Sequence, residues 1–331
     1  MDGYGYATLP NDTEDEVDIT PHSLFYVGST TKSFIAATIS LIVDNSSNDI
    51  DWTTPLHKIA PNDFVLEDDY LTTHITFEDA LSHRTGMPRH DFTWLFSDPS
   101  WQEMVRDLRH LPISAPFRTT WQYCNLMYHT VTYMIQVITG TWTGDVLQKY
   151  LWDPLGMNET YFGLPEAMKC QDENSACNLA VGYVWNNESS TYESVPWEDM
   201  PPPNGAGGIV SNVMDFTKWI RVLMNEDGPI SKASHTAMKY PHSIEEAKSY
   251  PFTGPTWYGF GIFGAYYRGH LVYFHNGQIG GYVARMTWIP DLKWGVATMQ
   301  NAANLAQDVL THKLIDDFLE TPENERAKMN E

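Results

Sequence analysis

Ser29-Thr30-Thr31-Lys32 sets a serine and a lysine three residues apart, directly after Gly28, and this S-x-x-K spacing occurs once in the 331-residue chain. On a helix, that spacing puts both side chains on one face, within reach of each other. A serine hydroxyl is a poor nucleophile until a neighbouring base takes its proton, and a lysine is that base only where burial or adjacent positive charge lowers its pKa. The segment itself offers burial. From Phe34 to Val43 the apolar residues Phe34, Ile35, Ala36, Ala37, Ile39, Leu41, Ile42 and Val43 fall on almost every side, the pattern of a central helix without a solvent face. A polar pair is costly on such a helix. The helix start adds an electrostatic effect: its amides and dipole disfavour the ammonium of Lys32 and favour a negative oxygen developing on a substrate carbonyl.

Two later segments carry complementary groups. Tyr123-Cys124-Asn125 stands just before an apolar helical stretch at 126–139. A tyrosine beside an ammonium can lose its proton far below its usual pKa and shuttle a proton between Ser29 and a leaving group. Asn125 can bridge Lys32 and hold a substrate carbonyl. Taken alone, Y-x-N reads better as a buried aromatic followed by a helix-capping asparagine than as a catalytic element. His275-Asn276-Gly277 closes a strand at 271–274 and runs into Gln278-Ile279-Gly280-Gly281. Gly277 lets a substrate approach the strand edge, and the backbone N–H of Gln278 can pair with that of Ser29 as an oxyanion hole. A lone histidine in such a place is more often structural.

The elements that must position these groups follow from periodicity. Helical patterns occur at 76–82, 101–111, 126–139, 143–151 and 213–224. After Gly254 the period changes to two, at 258–267, 271–274, 282–289 and 294–299, with a turn at Pro290-Asp291, which predicts an antiparallel sheet. A helix is expected over 302–319, and a strand over 2–8. Strands at both termini are expected to share one sheet, with a helical block between them that ends near Pro201-Pro202-Pro203. The reading is an α+β chain: an α/β subdomain from 1–45 and 205–331, a mostly helical subdomain over 46–204, and the active site at their junction.

Composition removes several functions. With 42 acidic and 20 basic side chains the formal charge is −22, so nucleic acid and anionic membrane are set aside as partners. No apolar run approaches the roughly 20 residues that span a bilayer, and the N-terminus lacks a signal-peptide pattern. The chain reads as soluble, with the cytoplasm the favoured compartment. Cys124, Cys170 and Cys177 form no metal-ligand pattern, though Cys170 and Cys177 can pair in an oxidising compartment. Asn-x-Ser/Thr tripeptides at Asn11, Asn45, Asn158 and Asn187 are too short to decide the matter. The glycines of 259–264 satisfy G-x-G-x-x-G but sit in aromatic alternation with no helix after them, so they read as strand. No G-x-S-x-G, H-E-x-x-H or paired C-x-x-C occurs, which counts against an α/β-hydrolase and a zinc enzyme. No metal or organic cofactor is implied.

In order, the three segments resemble the motifs of the serine β-lactamase and penicillin-binding protein superfamily. The closest pattern is the class C β-lactamase-related branch, which includes D-aminopeptidases, family VIII-type carboxylesterases and fungal acyltransferases. Leu81-Ser82-His83-Arg84-Thr85-Gly86-Met87-Pro88 resembles that branch's L-x-H-x-S-G-x-P segment, with Thr85 for the serine. Gly205-Ala206-Gly207-Gly208-Ile209-Val210-Ser211 resembles its G-A-G-G-L-x-S segment. The resemblance runs from about Gly3 to about Leu319. It implies a β-lactamase/transpeptidase-like fold, an antiparallel sheet flanked by helices with an inserted helical subdomain, with Ser29 as nucleophile, Lys32 and Tyr123 as the acid/base pair, and Asn125 and His275 as substrate-contacting groups.

Two departures bear on function. His275 stands where dedicated β-lactamases carry lysine, so one cation for a β-lactam carboxylate is missing or pH-dependent. Only 28 residues precede Ser29, fewer than the family usually has, which suggests a shortened chain or a fragment. The expected activity is hydrolysis of a small-molecule ester or amide through an acyl-enzyme, with weak or no β-lactamase activity. Transfer of the acyl group to an alcohol or amine, and a non-catalytic binding or scaffold protein on the same fold, are the alternatives. A largely apolar acyl pocket is expected; Trp257, Tyr258, Phe274 and Tyr282 are candidates for lining it, with ordinary core packing the favoured reading for each. The oligomeric state stays open.

Overall fold

The helix that follows Ser29 runs Thr31–Asp44 and is buried along most of its length. Serines and threonines on so deep a helix need partners, and they find them one turn back. Thr38 Oγ1 donates to Phe34 O at 2.9 Å, Ser40 Oγ to Ala36 O at 3.0 Å and Ser33 Oγ to Thr30 O at 2.9 Å. Such back-bonding satisfies the hydroxyls without solvent. Around this helix the main core gathers Phe34, Trp152, Phe216, Trp219 and the helix Asn125–Thr139. Phe34 stacks on Trp219, with ring centroids 4.7 Å apart. The computed structural model describes residues 2–10, 15–45, 47, 49–93, 99–173, 177–196 and 205–329. Asn11 and Pro201-Pro202-Pro203 lie outside them.

In chain order the strands are β1 (Tyr6–Thr8), β2 (Val17–Asp18), β3 (Phe25–Tyr26), β4 (Tyr161–Phe162), β5 (Gly182–Asn186), β6 (Thr191–Val195), β7 (Ile209–Ser211), β8 (Ser243–Glu246), β9 (Thr256–Tyr258), β10 (Phe263–Tyr267), β11 (His270–Ile279), β12 (Tyr282–Ile289) and β13 (Trp294–Gln300). The six from β8 to β13 form one sheet in the order β13-β12-β11-β10-β9-β8, antiparallel throughout. Side chains alternate across it. Along β12, Ala284, Met286 and Trp288 join the main core with Trp219, while Ile289 packs with Ile315 of the helix Ala306–Phe318 on the other side.

Several sequence expectations change here. The N-terminal strand does not join the large sheet. β1 pairs with β2, its Ala7 carbonyl accepts from Val181 N, and Leu9 N donates to the Tyr183 hydroxyl. A three-residue strand with its polar groups met in this way has none left for an edge of the large sheet. The stretch 258–267 is two strands rather than one, because the chain reverses at Gly259–Ile262, where Gly261 has φ +69°. The hairpin β5–β6 lies inside the block read as mostly helical. Helices at Asp69–His74, Leu164–Glu173 and Lys232–Lys239 went unread, being short or weakly apolar. A disulfide joins Cys170 and Cys177.

Burial also sets the acid stability of the fold. Desolvation holds His129 and His275 down to about 3 and His312 down to about 4, and it pushes His83 well below the usual histidine value. All four are neutral when folded, yet an unfolded chain protonates them below about 6.5. Between those limits the unfolded state binds more protons, so stability rises with pH, and each such histidine changes it by up to ~1.4 kcal/mol per pH unit. Denaturant unfolding is therefore expected to give a midpoint that is flat above pH 7 and falls steadily from pH 6.5 to 4.5. A midpoint independent of pH over that window would show these rings to be solvated.

Candidate active site

Ser29 occupies a single 3-10 turn, Gly28–Thr30, that leads straight into the buried helix. The turn packs against β11, and two glycines make the approach close enough. A Cβ on Gly277 would sit 1.9 Å from Val27 O and 3.0 Å from Ser29 N, and a Cβ on Gly28, whose φ is +51°, would sit 2.6 Å from Gln278 N. Only glycine fits either place, which brings the backbone of the Ser29 turn against that of Gly277 and Gln278. A third glycine serves the same junction. The hairpin turn at Gly261 lies against the backbone of Lys32, where a Cβ would meet Lys32 O at 2.6 Å.

Lys32 is fully buried. Its Nζ donates to Asn125 Oδ1 at 2.8 Å and to Ala206 O at 2.7 Å, and stands 3.1 Å from Ser29 Oγ. Desolvation, followed by the charge of Arg89, holds its pKa well below the usual lysine value. Asn125 opens the helix Asn125–Thr139. Its Nδ2 donates to Asp91 Oδ1 at 3.0 Å, and Asp91 Oδ2 accepts from Arg89 Nε at 2.7 Å.

Tyr123 is set by its neighbours on the chain. Cys124 N donates to His83 Nδ1 at 3.1 Å and Gln122 N to His83 O at 2.8 Å, while the His83 ring lies 4.2 Å from the Tyr123 ring. Beneath that loop Asp79, with no exposed side-chain surface, accepts from Arg84 Nε at 2.7 Å and from Arg118 Nε and Nη2, each at 2.8 Å. The Tyr123 hydroxyl hydrogen bonds with Ser29, but burial outweighs this and raises its pKa above the usual phenol value. This corrects the expectation of an easily ionised tyrosine. Desolvation lowers the pKa of its partner amine at the same time, so burial favours the neutral form of both groups.

His275 lies within β11 rather than beyond a strand's end, because the strand continues to Ile279. Its Nδ1 shares a hydrogen bond with Asn276 O at 2.6 Å and its Nε2 one with the Tyr258 hydroxyl at 3.0 Å. Burial, with Lys32 next, brings its pKa down to about 3, so it supplies no cation near neutral pH. Ser29, Tyr123, His275, Gly277 and Gln278 all line one cavity of about 670 Å³. Asn125 stands outside that lining, between Lys32 and Asp91. The candidate aromatics Trp257, Tyr258, Phe274 and Tyr282 are not among its lining residues; Trp121 and Phe263 are, with Arg285, Gln307 and Asp308. Arg285 and Asp308 form an ion pair. The lining is mixed, with more apolar than polar surface.

The sequence profile of the β-lactamase family matches residues 1–319. This chain belongs to the β-lactamase family. It is similar to the unguisins hydrolase of Aspergillus campestris, 38% identical over 99% of this chain but 61% of that protein. The chain thus spans about three fifths of the relative's length. Among solved structures, the octameric penicillin-binding protein homologue from Pyrococcus abyssi has a TM-score of 0.78 at 22% identity, covering 94% of this chain and 69% of that one. The D-amino acid amidase of Ochrobactrum anthropi has a TM-score of 0.74 at 23% identity, covering 96% of this chain and 87% of that one. Both share the β-lactamase/transpeptidase-like fold.

Against that family fold, sequence reasoning missed Arg89, Asp91 and the carbonyl of Ala206. The first two follow directly on the Leu81-to-Pro88 segment, as Arg89-His90-Asp91, so extending that segment by three residues would have found them. A carbonyl leaves no such trace. Among the described residues there is no group of three or more His, Cys, Asp or Glu able to hold a metal ion, and no helix long and apolar enough to cross a membrane. The Gly277→Ala variant is expected to lose reaction with a fluorophosphonate by at least tenfold and to melt several degrees lower, since one methyl group must displace the Val27 carbonyl. Wild-type labelling and melting in that variant would show the β11 approach to be slack.

Proposed function

We propose that this chain is a serine hydrolase that opens a carboxylic amide or ester through an acyl-Ser29 intermediate. The hydrogen bonds around Lys32 Nζ carry the reading. A neutral amine has two N–H donors and one lone pair. Asn125 Oδ1 and Ala206 O accept only, so they take both donors. In that neutral form the lone pair is left for the third contact, Ser29 Oγ at 3.1 Å. Lys32 is thus poised to receive the serine proton, and burial keeps it in the form that can.

The steps follow from this placement. Ser29 passes its proton to Lys32 as Oγ attacks the substrate carbonyl carbon. The carbonyl oxygen becomes an oxyanion beside the N–H groups of Ser29 and Gln278. Tyr123, neutral and bonded to Ser29, gives its proton to the leaving nitrogen or oxygen, and the Lys32 ammonium restores it. Water then loses a proton to Lys32 and attacks the ester carbon; as the carbon–Oγ bond breaks and the acid departs, the Lys32 ammonium returns that proton to Ser29 Oγ. The hydrolase name of the Aspergillus relative and the amidase name of the Ochrobactrum neighbour support hydrolysis, and the latter an amide. Neutral His275 supports a substrate other than a β-lactam, because the third motif offers a β-lactam carboxylate no cation.

Intact-protein mass after exposure to a fluorophosphonate, and rates on a p-nitrophenyl ester and a D-amino acid anilide, test this. One adduct is expected on wild type and none on Ser29→Ala, and Lys32→Met is expected to slow turnover by ~10²–10⁴. Activity is expected to be lost as pH falls through the lowered pKa of Lys32, with an acid limb far below that of an ordinary lysine. Nitrocefin turnover is expected to be weak or undetectable and not to improve from pH 8 to pH 5. Absence of an adduct on folded wild type would remove Ser29 as nucleophile.

A further inference from the structure

The base reading of Lys32 depends on which way the Asn125 amide faces, and the inference drawn here rests on that reading. An asparagine amide has one accepting and one donating end. With Oδ1 toward Lys32, the amine spends a donor on it and its lone pair is left for Ser29. With Nδ2 toward Lys32, the amide would donate to the amine, and the lone pair would be taken. The two orientations are nearly the same in shape, so packing alone does not choose between them.

Asp91 does choose. Its Oδ1 receives Asn125 Nδ2 at 3.0 Å, and an ionised carboxylate accepts only, so the donating end must face Asp91 and the accepting end Lys32. Asp91 is in turn fixed by Arg89 Nε at 2.7 Å, and the Arg89 guanidinium lies 5.2 Å from the Tyr123 ring centroid. We propose that Asp91 is a positioning residue that, through Asn125, aims the lone pair of Lys32 at Ser29, with Arg89 as the clamp that holds Asp91 in place. Asp91 touches neither Lys32 nor Ser29 and is not part of the cavity lining. It acts two hydrogen bonds away from Lys32 and three away from the nucleophile.

The pair also leaves an electrostatic signature that a purely structural contact lacks. Around Lys32 stand Arg89 and Asp91 from the segment before the helix Trp101–Asp107, His83 from the loop after Phe77–Leu81, Tyr123 and Cys124, Tyr128 and His129 from Asn125–Thr139, and His275 from β11. The histidines and the thiol are neutral near pH 7, which leaves Arg89 and Asp91 as the opposed charges. The first lowers the Lys32 pKa and the second raises it. Neutral Lys32 is the active form, so activity is lost as pH falls through its pKa.

Three variants test the proposal: Asp91→Asn, Asp91→Glu and Arg89→Met, each read by fluorophosphonate labelling rate, kcat and the pH profile of kcat/KM, with thermal melting as the check on folding. Asp91→Asn lets the Asn125 amide turn over, so kcat is expected to fall about tenfold or more with KM nearly unchanged. Its acid limb is expected to move to lower pH, and that of Arg89→Met to higher pH. Asp91→Glu, which keeps an acceptor-only end, is expected to recover most of the lost kcat. Wild-type labelling by Asp91→Asn, or limbs that shift together or not at all in folded variants, would overturn the proposal. If Asp91→Asn fails to fold, the direction of the Arg89→Met limb and the retained kcat of Asp91→Glu decide it. Failure of the acyl-enzyme reading looks different, since wild type itself would then carry no adduct.

Discussion

Everything in this site depends on removing one amine from water. A charged lysine placed where Lys32 sits would cost several kcal/mol in desolvation even after relaxation, and the cheaper state is the neutral amine. That single preference turns an ordinary side chain into a base. It also dictates the surroundings: a helix apolar on every side, a hairpin pressed against it at Gly261, and carbonyl groups rather than carboxylates as the amine's neighbours. A carboxylate touching Nζ would stabilise the ammonium and undo the arrangement.

A second buried charge does the opposite work at a distance. Asp79 keeps its proton off, because Arg118, Thr76 and Arg84 together outweigh its desolvation. One arginine comes from the loop that carries His83 and the other from the stretch that leads to Tyr123, and Arg118 N also bonds to Arg84 O. One carboxylate therefore pins together the chain on which His83 sits and the chain that leads to Tyr123. Its removal would leave Arg118 without its ion-pair partner and Arg84 with Glu78 alone, so this hub is dear to break.

The sequence was most legible where chemistry and periodicity coincide. Ser29 and Lys32 stand out because a polar pair heads an apolar helix, and the period-two stretches from 258 to 299 became β9 to β13 because alternation has no other common cause. Position 259–262 was not legible as a turn, since its aromatic alternation continues on both sides and only the φ of Gly261 reveals the reversal. The helices at Asp69–His74 and Lys232–Lys239 are short and polar, so they owe their form to caps and packing more than to periodicity. The network behind Lys32 was hidden for a different reason: Ala206 contributes a backbone carbonyl, and Asp91 reaches Asn125 across 34 positions of sequence. No spacing rule covers either.

The charge of −22 poses the remaining question, since so negative a chain should favour every ammonium, Lys32 included. It does not prevail, because exposed charges beyond about 8–10 Å are largely screened by salt, whereas burial acts at contact. Near the site the charges are matched locally. Arg89 faces Asp91 and Arg285 faces Asp308, so neither pair adds much net field at Nζ. The acidity of the surface and the basicity of the site are thereby decoupled. The state of Lys32 is set by desolvation and a few atoms within hydrogen-bonding reach.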